Sequence, residues 1–266
     1  MPEIVPRIPG VKGYKFTQSP SYPEVPRNPF RMFLAAGTIG GKTTTILNMA
    51  LSSKLYRNTF SAIYLVSPSL GVDDMLKPLL KRMEQLGQDP SEDARQEFDD
   101  AWLSEKLEDH RKVIEYQKSK GQTHLHSIWV ILDDVCDQGS ALRSAGSGQG
   151  SLSTIMARGR HLGISCTLCL QKVVTACPPL IRANVSDWII FKQRLLKELM
   201  FLLSEVSALL PNSEILDLIY RKSTEKPYSF LWVAPGRPDP DDVFHIGLGP
   251  GIDLKKFVAQ VNDGKN

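Results

Sequence analysis

One short stretch constrains the fold of this chain more than any other, the segment FLAAGTIGGKTTTILNMA at residues 33–50. An apolar run, a glycine-rich loop and a helical pattern follow one another there. A glycine-rich loop between a strand and a helix lets backbone N–H groups and the helix N-terminus surround a phosphate. Glycine supplies the backbone freedom that such a loop requires. The loop has three glycines, then a lysine and a threonine: Gly37, Gly40, Gly41, Lys42 and Thr43.

The loop departs from the usual phosphate-loop pattern G-x-x-x-x-G-K-[ST] at its first position, and it has an unusual branched residue at one of the free positions. Ala36 stands where the pattern has its first glycine, and the branched Ile39 lies inside the loop. Each residue is tolerable if its φ stays negative, and neither removes a chemical group that a nucleotide needs. The alternative is a glycine-rich turn with a surface lysine. The predicted nucleotide-binding residues are Ala36, Gly37, Thr38, Ile39, Gly40, Gly41, Lys42, Thr43 and Thr44.

A second motif supplies the carboxylates that a nucleotide-hydrolysing site needs. The run WVILDD reads as a strand buried on both faces that ends in Asp133 and Asp134. We predict that Asp133 and the Thr43 hydroxyl hold Mg²⁺, Asp133 through water, while Asp134 polarises the attacking water. Glutamate is more usual at the second position, so Asp134 is the less secure base. The alternative is a strand followed by an aspartate-rich turn.

A third motif lies downstream, where the apolar run ISCTLCLQ ends in Gln171. A polar side chain at the tip of a strand beside the loop can sense the γ-phosphate and orient water. Just before this run, MARGRHLG carries Arg158 and Arg160 on a predicted short helix. An arginine delivered to a neighbouring subunit's nucleotide stabilises transition-state charge. Each of these arginines has an ordinary surface charge as its alternative interpretation.

Strands alternate with helices along the chain, which predicts a three-layer α/β fold with a mainly parallel sheet. The expected strands are 30–36, 61–68, 127–135, 164–171, 185–192 and 228–234. The expected helices are 43–55, 73–87, 91–120, 152–163, 194–211 and 213–222, with a mobile Gly/Ser-rich loop at 137–151. We predict a proline-rich N-terminal arm at 1–29, one core domain at 30–235 and a coil-like C-terminal extension at 236–266.

Composition excludes some classes of function. A net charge of +3 permits nucleic-acid binding without indicating it. Cys166 and Cys169 form a C-x-x-C spacing without a second ligand pair, so we interpret them as small buried hydrophobes. Unpaired thiols suit a reducing compartment.

The apolar stretch 195–210 is short and carries Lys197, Glu198 and Glu205, which argues against membrane insertion. The N-terminus lacks the apolar segment of a signal peptide.

The ordered motifs resemble a known family. LAAGTIGGKTTTILN, VILDDV, RGRHLGISCTLCLQK, PPLIRANVSDWIIFK and YSFLWV occur in the order seen in viral DNA-packaging ATPases of the FtsK–HerA superfamily. The resemblance spans about residue 30 to residue 234 and is to the poxvirus-type and virophage-type packaging ATPases in particular. It implies a RecA-like P-loop NTPase core of the ASCE class, ATP and Mg²⁺ as ligands, and a ring of subunits, often six. It also implies movement of double-stranded DNA into a preformed capsid at its vertex. Such a protein would act in the host cytoplasm, at the viral assembly site or with the virion.

The resemblance assigns roles residue by residue. Lys42 and Thr43 match the Walker A pair, and Asp133 and Asp134 match Walker B. Gln171 matches the sensor. The arginines that could act in trans are Arg158, Arg160 and Arg182, with Arg160 in the position before the sensor strand and Arg182 in the IRAN segment. The departures at Ala36, Ile39 and Asp134 leave nucleotide binding expected and put the rate of turnover in question.

Two other functions compete with a DNA-translocating motor. A non-catalytic ATP-binding assembly protein would explain the departures at Ile39 and Asp134. A P-loop kinase is less favoured, because the 137–151 segment carries a single arginine, Arg143, where kinases have an arginine-rich lid. For the motor, candidate DNA contacts are Lys192, Arg194 and Lys197, and the 137–151 segment could line a pore. Binding would then rest on phosphate neutralisation.

Overall fold

The computed structural model describes residues 14–16, 20, 22–37, 39–135, 138–145, 147–148, 150–210 and 212–263. Its strands are β1 (Lys15–Phe16), β2 (Arg31–Ala35), β3 (Ala62–Val66), β4 (Ala94–Arg95), β5 (His124–Leu125), β6 (Ile128–Asp133), β7 (Ile164–Leu170), β8 (Asp187–Phe191), β9 (Phe230–Val233) and β10 (Phe244–Ile246). Its helices are α1 (Lys42–Leu51), α2 (Lys77–Gln85), α3 (Pro90–Asp93), α4 (Asp100–Ser119), α5 (Gly139–Ala145), α6 (Ser151–Leu162), α7 (Val173–Ala176), α8 (Pro179–Ala183), α9 (Leu196–Val206), α10 (Ser213–Ser223) and α11 (Leu254–Asp263).

The centre of the fold is an eight-stranded sheet in the order β10-β9-β8-β2-β7-β6-β3-β4. The strands from β8 to β4 run parallel to their neighbours, while β9 and β10 each pair antiparallel at one edge. A separate two-stranded sheet joins β1 and β5 in parallel. Parallel strands require crossover connections, which the helices between them provide. The predicted mainly parallel sheet is therefore confirmed.

Helices cover both faces of this sheet and bury two apolar cores. Successive side chains of β2 alternate between them, with Phe33 and Ala35 in one core and Met32 and Leu34 in the other. Helices α1 and α2 pack on the face that Met32 shares, whereas α4, α5, α6, α9 and α10 pack on the opposite face. Near-continuous apolar strands are what a sheet covered on both sides requires. The predicted three-layer arrangement is confirmed.

The parallel register determines where the candidate site lies. Strand β7 lies between β2 and β6, with Ala35 of β2 opposite Leu170 and Asp133 of β6 opposite Cys169. The carboxyl ends of these three strands therefore meet at one edge of the sheet. Consequently, the glycine loop after β2, the two aspartates of β6 and Gln171 after β7 come together there.

The predicted helix at 91–120 is wrong in its first third. Residues Pro90–Asp93 form the single turn α3, and the chain then pairs as β4 with the edge strand β3, Ala94 opposite Leu65. The long helix α4 begins only at Asp100. Its start is fixed by Asp99, whose side chain accepts hydrogen bonds from the N–H groups of Ala101 and Trp102. A local charge pattern carries no signal for this long-range pairing.

Two segments expected to be irregular contain regular structure. Residues 139–145 of the predicted mobile loop form α5, which buries Leu142 and Ala145. The C-terminal extension, expected to be coil, forms β10 and α11. Phe244 is buried against β9, so a three-residue strand forms although proline and aspartate dominate the sequence before it. In both segments tertiary burial overrides a composition typical of loops.

Residues 22–29, the longest described stretch of the N-terminal arm, pack against the core. Val25 is buried, the Tyr56 hydroxyl donates to the carbonyl of Pro26, and the Tyr22 hydroxyl donates to the carbonyl of Leu248 at 2.9 Å. The arm therefore contacts both the core and the C-terminal extension. Residues 1–13, 17–19 and 21 of the arm lie outside the described residues. The boundaries of the arm, core and extension stay predictions.

The apolar stretch that raised the membrane question lies in α9 and the turn after it. Within the described ranges, no single helix is long and apolar enough to cross a membrane. The helices Leu196–Leu209 and Ser213–Ser223 reach that length and composition only as a pair, and they are bent by 120° at their break.

Candidate nucleotide-binding site

The glycine loop connects β2 to α1 by a turn that needs glycine at two positions. Gly41 caps α1 with a φ of 94°, in the left-handed region that glycine adopts without strain. At Gly40 the space is missing, because a Cβ there would lie 2.7 Å from the Ala36 Cβ and 2.8 Å from the Gly37 carbonyl oxygen. The methyl group of Ala36 therefore fits because residue 40 is a glycine and has no Cβ to clash with it. Thr38, also predicted to bind nucleotide, lies outside the described residues.

The condition of a negative φ is met at Ala36 but not at Ile39. Ile39 has a φ of 62°, and its side chain is 81% exposed. A β-branched residue in this region is an outlier that costs about 1–3 kcal/mol. The loop therefore stores strain at its tip and presents an apolar side chain to solvent.

Lys42 is buried at the first position of α1, with only 6% of its surface exposed. Its Nζ donates hydrogen bonds to the carbonyl of Ala36 at 3.0 Å and to that of Gly37 at 3.4 Å. The ammonium group therefore lies inside the curve of the loop. A phosphate bound in the loop would replace these two carbonyl contacts. This position fits the role predicted for Lys42.

Thr43 and Asp133 meet across the edge of the sheet. The Thr43 hydroxyl donates to Asp133 Oδ2 at 3.1 Å, although the two residues are 90 positions apart in the chain. Asp133 is 3% exposed, and its Oδ1 is buried without a hydrogen-bond partner. Burial, the largest effect, raises the pKa of Asp133 above its ordinary value, while the Thr43 hydrogen bond opposes it. An unsatisfied carboxylate oxygen beside a hydroxyl provides the hard oxygen ligands that Mg²⁺ prefers, so these residues fit the ion.

Asp134 and Gln171 form a second pair beside the first. The Gln171 side-chain amide donates to both carboxylate oxygens of Asp134, at 2.8 and 2.7 Å. Asp134 has a φ of 54°, so the backbone turns abruptly where β6 ends. The sequence predicted both residues at this edge, but it did not predict that they bind each other. The contact fixes the orientation of the carboxylate proposed to polarise water.

Tyr228 is a residue of this site that sequence reasoning missed. Among the described non-glycine residues, those with a positive φ are Ile39, Asp134 and Tyr228, and all three lie around the glycine loop. Strained backbone of this kind clusters at functional sites. We interpreted 228–234 as a strand, but β9 begins at Phe230, and Tyr228 instead ends the turn TEKPY. A charged turn leading into a strand at this edge is the signal that could have found it.

A cavity of about 690 Å³ opens beside the glycine loop. Gly37 and Gly40 form one wall, and residues 191–194 after β8 and 224–229 before β9 form the others. Lys192 and Arg194, considered above as DNA contacts, lie in this wall. Both cations therefore lie next to the glycine loop, and their role as DNA contacts stays a prediction.

The three candidate arginines lie away from this site. Arg158 and Arg160 are exposed near the end of α6, and the seven-residue strand β7 separates that end from the nucleotide edge. At about 3.3 Å per residue this is roughly 23 Å, so neither can reach its own subunit's loop. Arg182 is engaged within the chain, since its Nε pairs with Glu205 Oε1 at 2.9 Å and its guanidinium lies over Phe201. A role in trans stays a prediction for all three.

A second missed residue, Glu198, connects the segment after Gln171 to α9. Glu198 is 7% exposed, and its Oε2 accepts hydrogen bonds from the backbone N–H groups of Val173 at 2.8 Å and Val174 at 3.3 Å. Val173 lies two residues after Gln171. The carboxylate therefore holds the segment that directly follows Gln171. Only the position of Glu198 in an apolar helix hinted at a buried role.

The C-x-x-C pair belongs to the core. Cys166 and Cys169 are buried in β7, three positions apart, so they lie on opposite faces of the sheet and join different cores. Burial raises the pKa of the Cys166 thiol to about 12. The interpretation of both as buried hydrophobes is confirmed.

Comparison with known proteins gives a consistent fold. No protein-family model and no curated protein sequence matches the chain. Among solved structures, B204, the DNA-packaging ATPase of Sulfolobus turreted icosahedral virus, is 16% identical, with 82% of this chain and 97% of B204 covered and a TM-score of 0.54. The genome-packaging NTPase B204 of Sulfolobus turreted icosahedral virus 2 with AMPPCP is 14% identical, covering 82% and 97%, with a TM-score of 0.53.

A third structure extends the comparison beyond viruses. The conjugation coupling protein TcpA of pCW3 with ATPγS is 16% identical, with 88% of this chain and 65% of TcpA covered and a TM-score of 0.52. At these identities the likeness is one of fold. The chain has the fold of these P-loop ATPases, and the resemblance drawn from its motifs is confirmed at that level.

Proposed function

We propose that this chain is an ATP-hydrolysing motor that translocates double-stranded DNA into a viral capsid. The observation that carries the proposal is the contact between Thr43 and Asp133, with Asp133 Oδ1 buried and unpartnered. It joins the phosphate loop to a metal-binding carboxylate, as hydrolysis of a nucleoside triphosphate requires. The solved packaging ATPases of the same fold support the DNA-packaging part of the proposal.

The described residues divide the work at this site. Lys42 and the loop N–H groups would bind the β- and γ-phosphates, and Thr43 and Asp133 would hold Mg²⁺. Bound Mg²⁺ would neutralise charge on the phosphate oxygens. Asp134 orients and polarises the attacking water, and Gln171 fixes that carboxylate through its two hydrogen bonds. Because the Gln171 amide is bound to Asp134 and Gln171 directly follows β7, a movement of Asp134 on loss of the γ-phosphate would be transmitted to β7.

We propose further that the chain acts as a ring of identical subunits, of six if it follows the family that its motifs resemble. Arg158 and Arg160 lie at the edge of the sheet opposite the nucleotide, so either could stabilise transition-state charge only on a neighbouring subunit. Arg182 would have to leave Glu205 to do so. Such a ring would bind the capsid vertex and act in the host cytoplasm, at the assembly site or with the virion.

The test is phosphate release by the purified chain with and without linear double-stranded DNA, measured beside its mass in solution. We expect Mg²⁺-dependent release that DNA stimulates, and an oligomer of the ring's mass that forms under the same conditions. The stimulation should weaken as salt rises, because DNA binding rests on phosphate neutralisation. If DNA did not change the rate of ATP hydrolysis at low or at high salt, the proposed DNA translocation would be refuted. The proposed ATPase activity would still stand.

A non-catalytic ATP clamp remains the second candidate, because the backbone is strained at two of the three departures from the usual motifs. Ile39 and Asp134 each have a positive φ, and Asp134 is one methylene shorter than the usual glutamate. A clamp would bind AMPPCP and assemble on it, yet release no phosphate from ATP with DNA present. The motor requires both binding and release.

A further inference from the structure

The cavity beside the glycine loop is large enough for more than phosphates. It measures about 690 Å³ and extends from Gly37 and Gly40 toward the turn between α10 and β9. The volume lies within the range of sites that enclose a small organic ligand. A triphosphate held by the loop would place its nucleoside either in this cavity or in open solvent.

Tyr228 presents an aromatic ring to this cavity. Its side chain is 68% exposed, yet the ring lies next to the start of α1, since a Cβ at Gly41 would be 3.3 Å from Tyr228 Cδ1. Phe191 lies behind the same point, 3.6 Å from that Cβ position. Tyr228 thus stands directly beside the phosphate-binding end of the helix, with much of its surface uncovered.

The backbone of Tyr228 has a φ of 63°, a conformation that a bulky residue adopts only under constraint. Glycine or asparagine would fit the turn without this strain. The ring is half-packed against the loop, so burial alone gives little reason for an aromatic residue at this position. An exposed aromatic ring next to a phosphate loop offers a face on which a flat ligand can stack.

We propose that Tyr228 is the stacking platform for the base of the nucleotide, and that the cavity accepts purine bases without reading their edges. The inference rests on the proposed function, because it takes the ligand of the loop to be a nucleoside triphosphate. Face-to-face or offset stacking on an aromatic ring is tolerant of base identity, since every base has a π-face.

The expected tolerance rests on Gln193 and Glu225 in the cavity wall, whose hydrogen-bonding groups are engaged within the chain, while the cationic Lys192, Arg194 and Lys226 of the same wall match the charge of the phosphates. The Gln193 side-chain amide donates to the carbonyls of Ala35 at 3.0 Å and Phe191 at 2.9 Å. The Glu225 carboxylate pairs with Lys222 at 3.1 Å. These groups are committed to the protein itself. A site that selects one base strongly needs polar groups directed at the base edge, whereas an apolar surface discriminates weakly.

The test measures binding of AMPPCP, GMPPCP and inorganic tripolyphosphate by calorimetry in the presence of Mg²⁺. We expect AMPPCP and GMPPCP to bind within about tenfold of one another. Tyr228→Ala should weaken both about tenfold or more, which is the loss typical of a base–aromatic stack. It should leave tripolyphosphate unchanged, because that probe has no base. Tyr228→Phe, the matched control, should bind all three as the wild type does.

A second variant separates stacking from a structural role. Tyr228→Gly removes the ring and also relieves the positive-φ strain, so the melting temperature should not fall while AMPPCP binding weakens. Loss of both would mean that the ring supports the fold. AMPPCP binding at wild-type strength in Tyr228→Gly would refute the platform, and a preference of a hundredfold or more for one base would refute the tolerance.

Lys42→Ala distinguishes this inference from the proposed function. It should abolish binding of AMPPCP and tripolyphosphate alike, since both depend on the loop. If Lys42→Ala lost both probes while the Tyr228 variants bound normally, the platform would fail and the phosphate site would stand. If Lys42→Ala changed neither, the phosphate site itself would fail.

Discussion

Replacing Glu198 with alanine tests whether the segment after Gln171 is held from α9. The carboxylate accepts one hydrogen bond of 2.8 Å from the buried N–H of Val173 and a weaker one of 3.3 Å from Val174. Leaving a buried donor unsatisfied costs about 1–3 kcal/mol. With the second, half-buried donor included, Glu198→Ala should lower the free energy of unfolding by about 2–4 kcal/mol. Glu198→Gln keeps an acceptor oxygen and should lose about half as much.

The same variant should change catalysis in a specific way. Because Val173 lies two residues after Gln171, loosening it frees the amide that fixes Asp134. We expect kcat to fall about tenfold with KM nearly unchanged, since the phosphate loop is untouched and the lost interaction acts in the transition state. Urea unfolding gives the stability, and steady-state phosphate release gives the two constants.

A surface carboxylate provides the control for Glu198. Glu115 pairs with Arg111 on the exposed side of α4, and Glu115→Ala should cost about 0.5 kcal/mol or less with unchanged kcat. The reasoning would be refuted if Glu198→Ala unfolded at the same urea concentration as Glu115→Ala. It would also be refuted if Glu198→Ala lost stability as expected yet kept the wild-type kcat, because the segment would then be structural only.

Three further predictions follow from the site. Asp133→Asn should raise the melting temperature at pH 7. Burial raises the pKa of Asp133, so the ionised carboxylate lowers the stability of the folded state above that pKa. The same variant should release phosphate at least about a hundredfold more slowly. The raised pKa of Asp133 also predicts how Mg²⁺-dependent AMPPCP binding depends on pH. As the pH is lowered, calorimetry should show the affinity beginning to fall at a pH above about 3.9, the ordinary pKa of an aspartate. Gly40→Ala forces a Cβ to within 2.7 Å of the Ala36 Cβ and should cost about 1–3 kcal/mol in urea unfolding, with weaker AMPPCP binding.

The elements that the sequence predicted well are those whose signals are local. A pattern of about ten residues suffices to predict each of three elements: the glycine loop, the buried strand ending in Asp133 and the strand ending in Gln171. Their meeting then follows from the rule that parallel strands end at one edge of a sheet. The C-terminal strand β10 and the helix α5 were missed because burial against distant elements decides them, as Phe244 and Leu142 show.

The site was predicted less completely than the fold. Backbone conformation was the main failure, since Ile39 adopts the positive φ that local preference disfavours. Tyr228 and Glu198 were missed because their roles depend on neighbours far along the chain. Gly41 and Tyr228 are 187 positions apart, and Val173 and Glu198 are 25 apart. No local pattern records such contacts.

The central claim is that the loop after β2 and the carboxylates after β6 form one Mg²⁺-dependent ATP-hydrolysing site. Its most direct test is the rate of phosphate release from ATP by the wild-type chain and by Lys42→Ala, each with Mg²⁺ and with excess EDTA. The account predicts release by the wild type with Mg²⁺ alone and background release in the other three reactions. Equal release by Lys42→Ala and the wild type would contradict it, and so would no release by the wild type with Mg²⁺ and double-stranded DNA present.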